Sequence, residues 1–207
     1  MSGIGDIRVD GMTRGAFIAR SVLAAGALSG AAAAGPALTR ALAHAKHGAF
    51  SGGDVGIVNF ALTLEKVEAE FYKRALAVPG LEPKVKRLLG SIAKAETEHV
   101  QSLTQALTGL GGKADPAPQV RFPVLPNQEQ VLRVAVELED TGVYAYNGAA
   151  TQLDSSDLLQ AFASLAQVEA RHAGALREVA GQFPTVTPFD RVLSGEQADE
   201  ALHQLAR

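Results

Sequence analysis

A pattern that returns at a fixed offset constrains this chain more than any other feature. Glu65 and Tyr72 recur 74 residues later as Glu139 and Tyr146, and Glu96-x-x-His99 recurs 73 residues later as Glu169-x-x-His172. A single Glu-x-x-His is weak, because polar pairs at i,i+3 are common on solvated helix surfaces. Two copies in register, each preceded by a Glu with a Tyr seven residues on, rarely arise by chance. Seven residues is close to two helical turns, so the pattern demands helices.

The apolar periodicity supplies them. Val58, Leu62, Glu65, Ala69, Tyr72 and Leu76 share one stripe of a helix predicted over about 54–77, which Val78-Pro79-Gly80 ends. Val85, Leu89, Ile92, Glu96, His99, Leu103 and Ala106 share the stripe of a second, with Pro83 at its start and glycines from Gly109 at its end. Leu132, Ala135, Glu139, Gly142, Tyr146, Ala149 and Leu153 give a third, about 127–153. Leu159, Phe162, Ala166, Glu169, His172, Leu176 and Val179 give a fourth, about 156–182, capped from the Asp154–Asp157 turn. A short helix after Ser194 is expected, with Gln197 completing a capping box.

Two tight turns and one long connection join the four helices. Residues 112–127 carry Pro116, Pro118, Pro123 and Pro126 and read as an extended linker. A helix of about 26 residues is roughly 39 Å long. Sixteen extended residues reach roughly 50 Å, enough to run the length of a bundle and bring helices two and three parallel. The expected fold is therefore all-α, a four-helix bundle with one long crossover between helices two and three, the ferritin-like topology. Residues 49–185 form the bundle, 1–48 an N-terminal extension and 186–207 a tail with the short helix.

Both Glu-x-x-His pairs lie within the apolar stripes, and bundling brings Glu65, Glu96, His99, Glu139, Glu169 and His172 toward one level. Four buried carboxylates without partners cost several kcal/mol each. Two divalent cations would neutralise them, and two imidazoles would complete the ligand set. Carboxylate and imidazole suit iron or manganese. In helix three Glu137 also precedes a tyrosine by seven, but it lies on a polar stripe with Arg133, Asp140 and Tyr144, so Glu139 is preferred. Glu68, one turn beyond Glu65, is read as a boundary residue, with an extra carboxylate at the site entrance as the other option. Tyr72 and Tyr146 are candidates to hydrogen-bond a ligand carboxylate or to donate an electron during oxidation; the plainer alternative is a core aromatic with a satisfied hydroxyl.

The segments LTLEKVEAEFY, AETEHV, ELEDTGVYAYNGAA and EARHAGALR together resemble the ferritin-like superfamily, and within it the bacterial and plant desiccation-related branch, whose members often carry export signals. The resemblance covers about residues 54–190. It implies a di-iron-type centre with Glu65, Glu96, His99, Glu139, Glu169 and His172 as ligands, Glu96 and Glu169 bridging.

Other chemistries are poorly supported. The formal net charge is −3 with no basic cluster, which argues against a nucleic-acid surface. There are no cysteines, so thiolate metal sites and thiol catalysis are excluded. Residues 13–35, TRGAFIARSVLAAGALSGAAAAG, have a basic start, an apolar stretch and A-x-A-like sites, as an export signal or membrane-surface anchor would. Gly15 stands where a twin-arginine signal has its second arginine, and Arg20 argues against a spanning helix. The expected location is exported or cell-envelope, with the cytoplasm as the alternative.

Three readings follow. One is a redox metalloprotein holding two iron ions that react with O₂ or H₂O₂, as a ferroxidase or peroxide-removing centre. Another is a non-enzymatic stress or envelope protein with structural or buffered metal. A manganese catalase is the third. Assembly as a homo-oligomer is also expected.

Overall fold

The computed structural model describes residues 50–116, 120–185 and 187–205. The export-like or anchoring segment at 13–35 lies outside the described residues. Among those residues there are five helices and no strand: α1 Gly53–Ala75, α2 Pro83–Gly109, α3 Gln128–Ala150, α4 Ser156–Val179 and α5 Gly195–Leu205. None is long and apolar enough to cross a membrane.

The helix starts follow capping chemistry. Asn127 accepts from Gln130 N at 3.0 Å and Ser155 from Leu158 N at 3.3 Å. Pro83 occupies the first turn of α2. Ser194 and Gln197 form the expected reciprocal box, Gln197 N donating to Ser194 Oγ and Ser194 N to Gln197 Oε1. The start of α1 differs. Its cap is Gly52 in the left-handed region, with no side-chain bond. Asp54 instead accepts from Asp154 N and Ser155 N at the entry to α4. Helices α1, α3 and α4 end two or three residues earlier than the apolar pattern suggests, each in a tightened last turn.

Those contacts also set the topology. Asp54 puts the start of α1 beside the start of α4. The Glu82–Gln128 pair, bonded in both directions at 2.8 and 3.0 Å, puts the start of α2 beside the start of α3. Helices α2 and α3 are therefore parallel, and the connection between them crosses the bundle lengthwise. It lies along α1: Asn59 bonds Lys113 O and Asp115 N near one end, and Phe122 packs on Phe71 and beneath Arg74 near the other. The hairpins α1/α2 and α3/α4 make the tightest pairs, and α1 meets α3 while α2 meets α4.

Helices α1 and α3 bury more than their single expected stripe. On α1, Leu64, Val67 and Phe71 are also buried, and the crossover covers part of that added face. On α3, Val131, Val134, Leu138 and Ala145 are buried as well, and α5 and the segment before it pack against this helix. Leu193 N donates to Tyr144 O at 3.1 Å, and a Cβ on Gly148 would meet Leu193 O at 1.9 Å. Gly148→Ala should therefore push the tail off α3 and destabilise the fold by about 1–3 kcal/mol. Faster amide exchange over 193–205 with little change in α1 and α2 would show it.

Candidate metal centre

Each of the four long helices delivers ligand-type groups to one level of the interior. Glu65 comes from α1, Glu96 and His99 from α2, Glu139 from α3, and Glu169 and His172 from α4. All four carboxylates are 0% exposed, and the two histidines are half-buried at their edge. The structure thus brings together all six residues singled out from the sequence. Glu137 points outward, exposed, and pairs with Arg133.

The geometry is two-fold in character. His99 Nδ1 lies 3.2 Å from Glu65, 2.9 Å from Glu96 and 3.2 Å from Glu169. His172 Nδ1 lies 3.2 Å from Glu139, 3.1 Å from Glu96 and 3.4 Å from Glu169. Glu96 and Glu169 each turn one oxygen to each imidazole, whereas Glu65 and Glu139 each serve one. Two groups emerge whose ligand atoms fall within 4.8 Å of one another: Glu65, Glu96, His99 and Glu169, and Glu96, Glu139, Glu169 and His172.

The tyrosines close the pattern crosswise. Tyr72 of α1 donates its hydroxyl to Glu139 Oε1 on α3, and Tyr146 of α3 donates to Glu65 Oε1 on α1. Both phenols are fully buried, and burial holds them well above their ordinary pKa. Each half of the repeat thus orients the terminal carboxylate of the other.

Electrostatics divides the carboxylates. Burial pushes Glu65 and Glu139 well above the usual carboxylate range. Burial also opposes the charge on Glu96 and Glu169, but the imidazoles of His172 and His99 close beside them outweigh it; Glu96 falls below its usual value and Glu169 to about 2. Burial opposes the imidazolium form of both histidines too. Their carboxylate neighbours outweigh it, raising His99 to about 12 and His172 to about 11.

Glu68 corrects the sequence reading. It is no boundary residue: it is 0% exposed, and burial raises it well above the usual range. Both its oxygens lack a hydrogen-bond partner, as do Glu96 Oε1 and both oxygens of Glu169. Buried carboxylate oxygens are rarely left so. Each imidazole has one inward Nδ1–H for three carboxylates, so the protein's own donors cannot satisfy the cluster. Divalent cations would supply the missing positive charge, and the donor set of oxygens and imidazole nitrogens fits iron or manganese. By that test the residues present fit a dinuclear centre.

A family model described as a ferritin-like domain matches residues 53–182. Among solved structures, a conserved hypothetical protein from Mycobacterium tuberculosis is similar at a TM-score of 0.55 and 20% identity, over 64% of this chain and 93% of that one. At that identity the likeness bears on the fold. No curated protein is significantly similar to this chain.

Proposed function

Because the chain belongs to the ferritin-like domain family, we propose that its buried cluster holds two iron ions, manganese being the alternative, and reacts with O₂ or H₂O₂ as a ferroxidase or peroxide-removing centre. The observation that carries this reading is the sharing of Glu96 and Glu169 between two four-residue groups. Iron, when bound, supplies one-electron and oxygen chemistry.

The chain's residues do the rest. Glu96 and Glu169 would bridge, each offering one oxygen to either position. Glu65 with His99, and Glu139 with His172, would complete the two ends. Tyr146 and Tyr72 hold those end carboxylates in orientation by donating to their second oxygens. Their place beside the cluster also suits them to give up an electron during oxidation. Leu62, Ile92 and Phe162, buried on the same helices as these groups, would help exclude water. An exported or envelope location and a homo-oligomeric state belong to the same proposal; exposed Val124, Phe183 and Phe189 support the second.

Anaerobic loading with ferrous iron, metal counting, and exposure to O₂ or H₂O₂ test it. The expected result is about two ions per chain and oxidation faster than that of iron in buffer. Fewer than about one ion per chain would overturn the reading. Two ions with no reaction toward either oxidant would leave a structural metal. Manganese retained from manganese-rich medium, with O₂ released from H₂O₂, would identify a catalase.

A further inference from the structure

Glu68 breaks the symmetry of the centre. The 74-residue offset that carries Glu65 to Glu139 and Tyr72 to Tyr146 carries Glu68 to Gly142. So α1 presents Glu65-x-x-Glu68 where α3 presents Glu139-x-x-Gly142. A Cβ on Gly142 would come 3.2 Å from Glu68 Oε1 and 3.4 Å from Glu169 Cγ. The carboxylate of Glu68 thus reaches across to the α3 wall, beside Glu169, through space that a side chain at 142 would contest. Glycine inside a helix is unfavourable, and here it leaves room for Glu68.

Glu68 has nothing in the protein to satisfy it. It is fully buried and neither oxygen has a donor. Arg177, the buried cation nearest in kind, is committed to Asp140. A buried carboxylate with no donor is costly, so its retention at this spot points to a ligand. Glu65-x-x-Glu68 also has the i,i+3 spacing of Glu96-x-x-His99, which places both groups of each pair on one helix face. Of the four neighbouring carboxylates, Glu65 acts on it most strongly.

We propose that Glu68 is a seventh protein ligand, which adds a carboxylate oxygen to the ion held by Glu65, Glu96, His99 and Glu169 and makes the two metal positions unequal. This rests on the dinuclear reading. Glu68 lies outside the two tight four-residue groups; it joins by a change of rotamer, for which a glutamate side chain has three torsions. With Glu68 ionised, five carboxylates match one divalent and one trivalent ion, whereas four match two divalent ions. The position served by Glu68 is therefore the one that favours the higher charge.

Anaerobic titration with Co(II), followed by its visible absorption, separates the possibilities. Wild type should take up two ions in steps differing by about 10–100-fold in affinity. Glu68→Gln should still bind two, with the tighter step weakened by about the same factor, so that the steps merge. Glu68→Leu should do likewise, while its metal-free form melts no lower than wild type, because a buried carboxyl group without a hydrogen-bond partner has been replaced by an apolar side chain. A purely structural Glu68 gives the opposite: a lower metal-free melting temperature in Glu68→Leu and wild-type Co(II) steps in both variants, and that result overturns the inference alone. Equal steps in wild type overturn it too. Failure of wild type to bind two ions overturns the dinuclear reading and this inference together.

Discussion

Glu169→Ala should empty both metal positions, whereas Glu65→Ala or Glu139→Ala should empty one. Glu169 belongs to both four-residue groups, with Oε1 at 3.2 Å from His99 and Oε2 at 3.4 Å from His172. Glu65 and Glu139 each belong to one. Removing a shared ligand leaves three donors at each position and takes away the charge that holds two cations close together. Removing an end ligand leaves the other position intact. The metal-free fold should respond in the same order. Glu169 is held at a pKa of about 2 by His172 and His99, so its loss leaves the two imidazoles sharing Glu96 as their one low-pKa carboxylate. Breaking a buried pair in this way costs about 3–5 kcal/mol, a fall of roughly 10 °C in melting temperature for a chain of this size. Burial raises Glu65 and Glu139, which disfavours their charged form, so their loss takes less negative charge from the cluster and costs less. Glu137→Ala, on the exposed face, is the control: two ions and a stability change within about 0.5 kcal/mol. Metal counting by elemental analysis and thermal melts of the metal-free variants read both effects. One ion retained by Glu169→Ala would sink the shared-ligand geometry.

The fold was legible because burial of one helix face leaves a record at intervals of three and four residues. That record separated Glu139 from Glu137, since one falls among Leu132, Ala135 and Gly142 and the other beside Arg133. The proline-rich connection declared the parallel arrangement of α2 and α3 through its length alone. Contacts between elements left no such record. Tyr72 and Tyr146 were visible as candidates, but their exchange of partners between halves depends on how α1 faces α3. Asp54 lies in the first turn of α1 and serves the start of α4, about 100 residues away. Glu68 was misread for a related reason. A face assignment on α1 says nothing of Gly142, the residue that makes room for it. The 74-residue offset could have shown this, because it pairs Glu68 with Gly142 as surely as it pairs Glu65 with Glu139.

Metal should raise the melting temperature more at pH 8 than at pH 6. In the metal-free protein Glu65, Glu68 and Glu139 have folded-state pKa values raised above the unfolded 4.5. Their stabilising contribution is complete below about 4.5 and is lost as pH climbs through the raised values. His99 and His172 rise from 6.5 to about 12 and about 11, so theirs is complete below 6.5 and is lost on the way to those values. In both cases the folded state binds more protons than the unfolded one, and stability falls as pH rises. Glu96 and Glu169, with lowered values, act in the other direction, but only in acid, where stability is lost as pH falls toward about 2. Between pH 6 and 8 the metal-free protein should therefore lose stability steadily. Metal reverses the sign. It binds deprotonated carboxylate and neutral imidazole, so it must displace these same protons, and its affinity grows with pH. At a free metal concentration of 100 times the dissociation constant, linkage adds about 2.7 kcal/mol, or roughly 5–10 °C for a chain of this size. Melts with and without Mn(II), which avoids oxidation during heating, should give curves that diverge from pH 6 to pH 8. A gap that stays constant or narrows would mean that the ions do not replace protons on this cluster, and that the metal binds elsewhere on the protein.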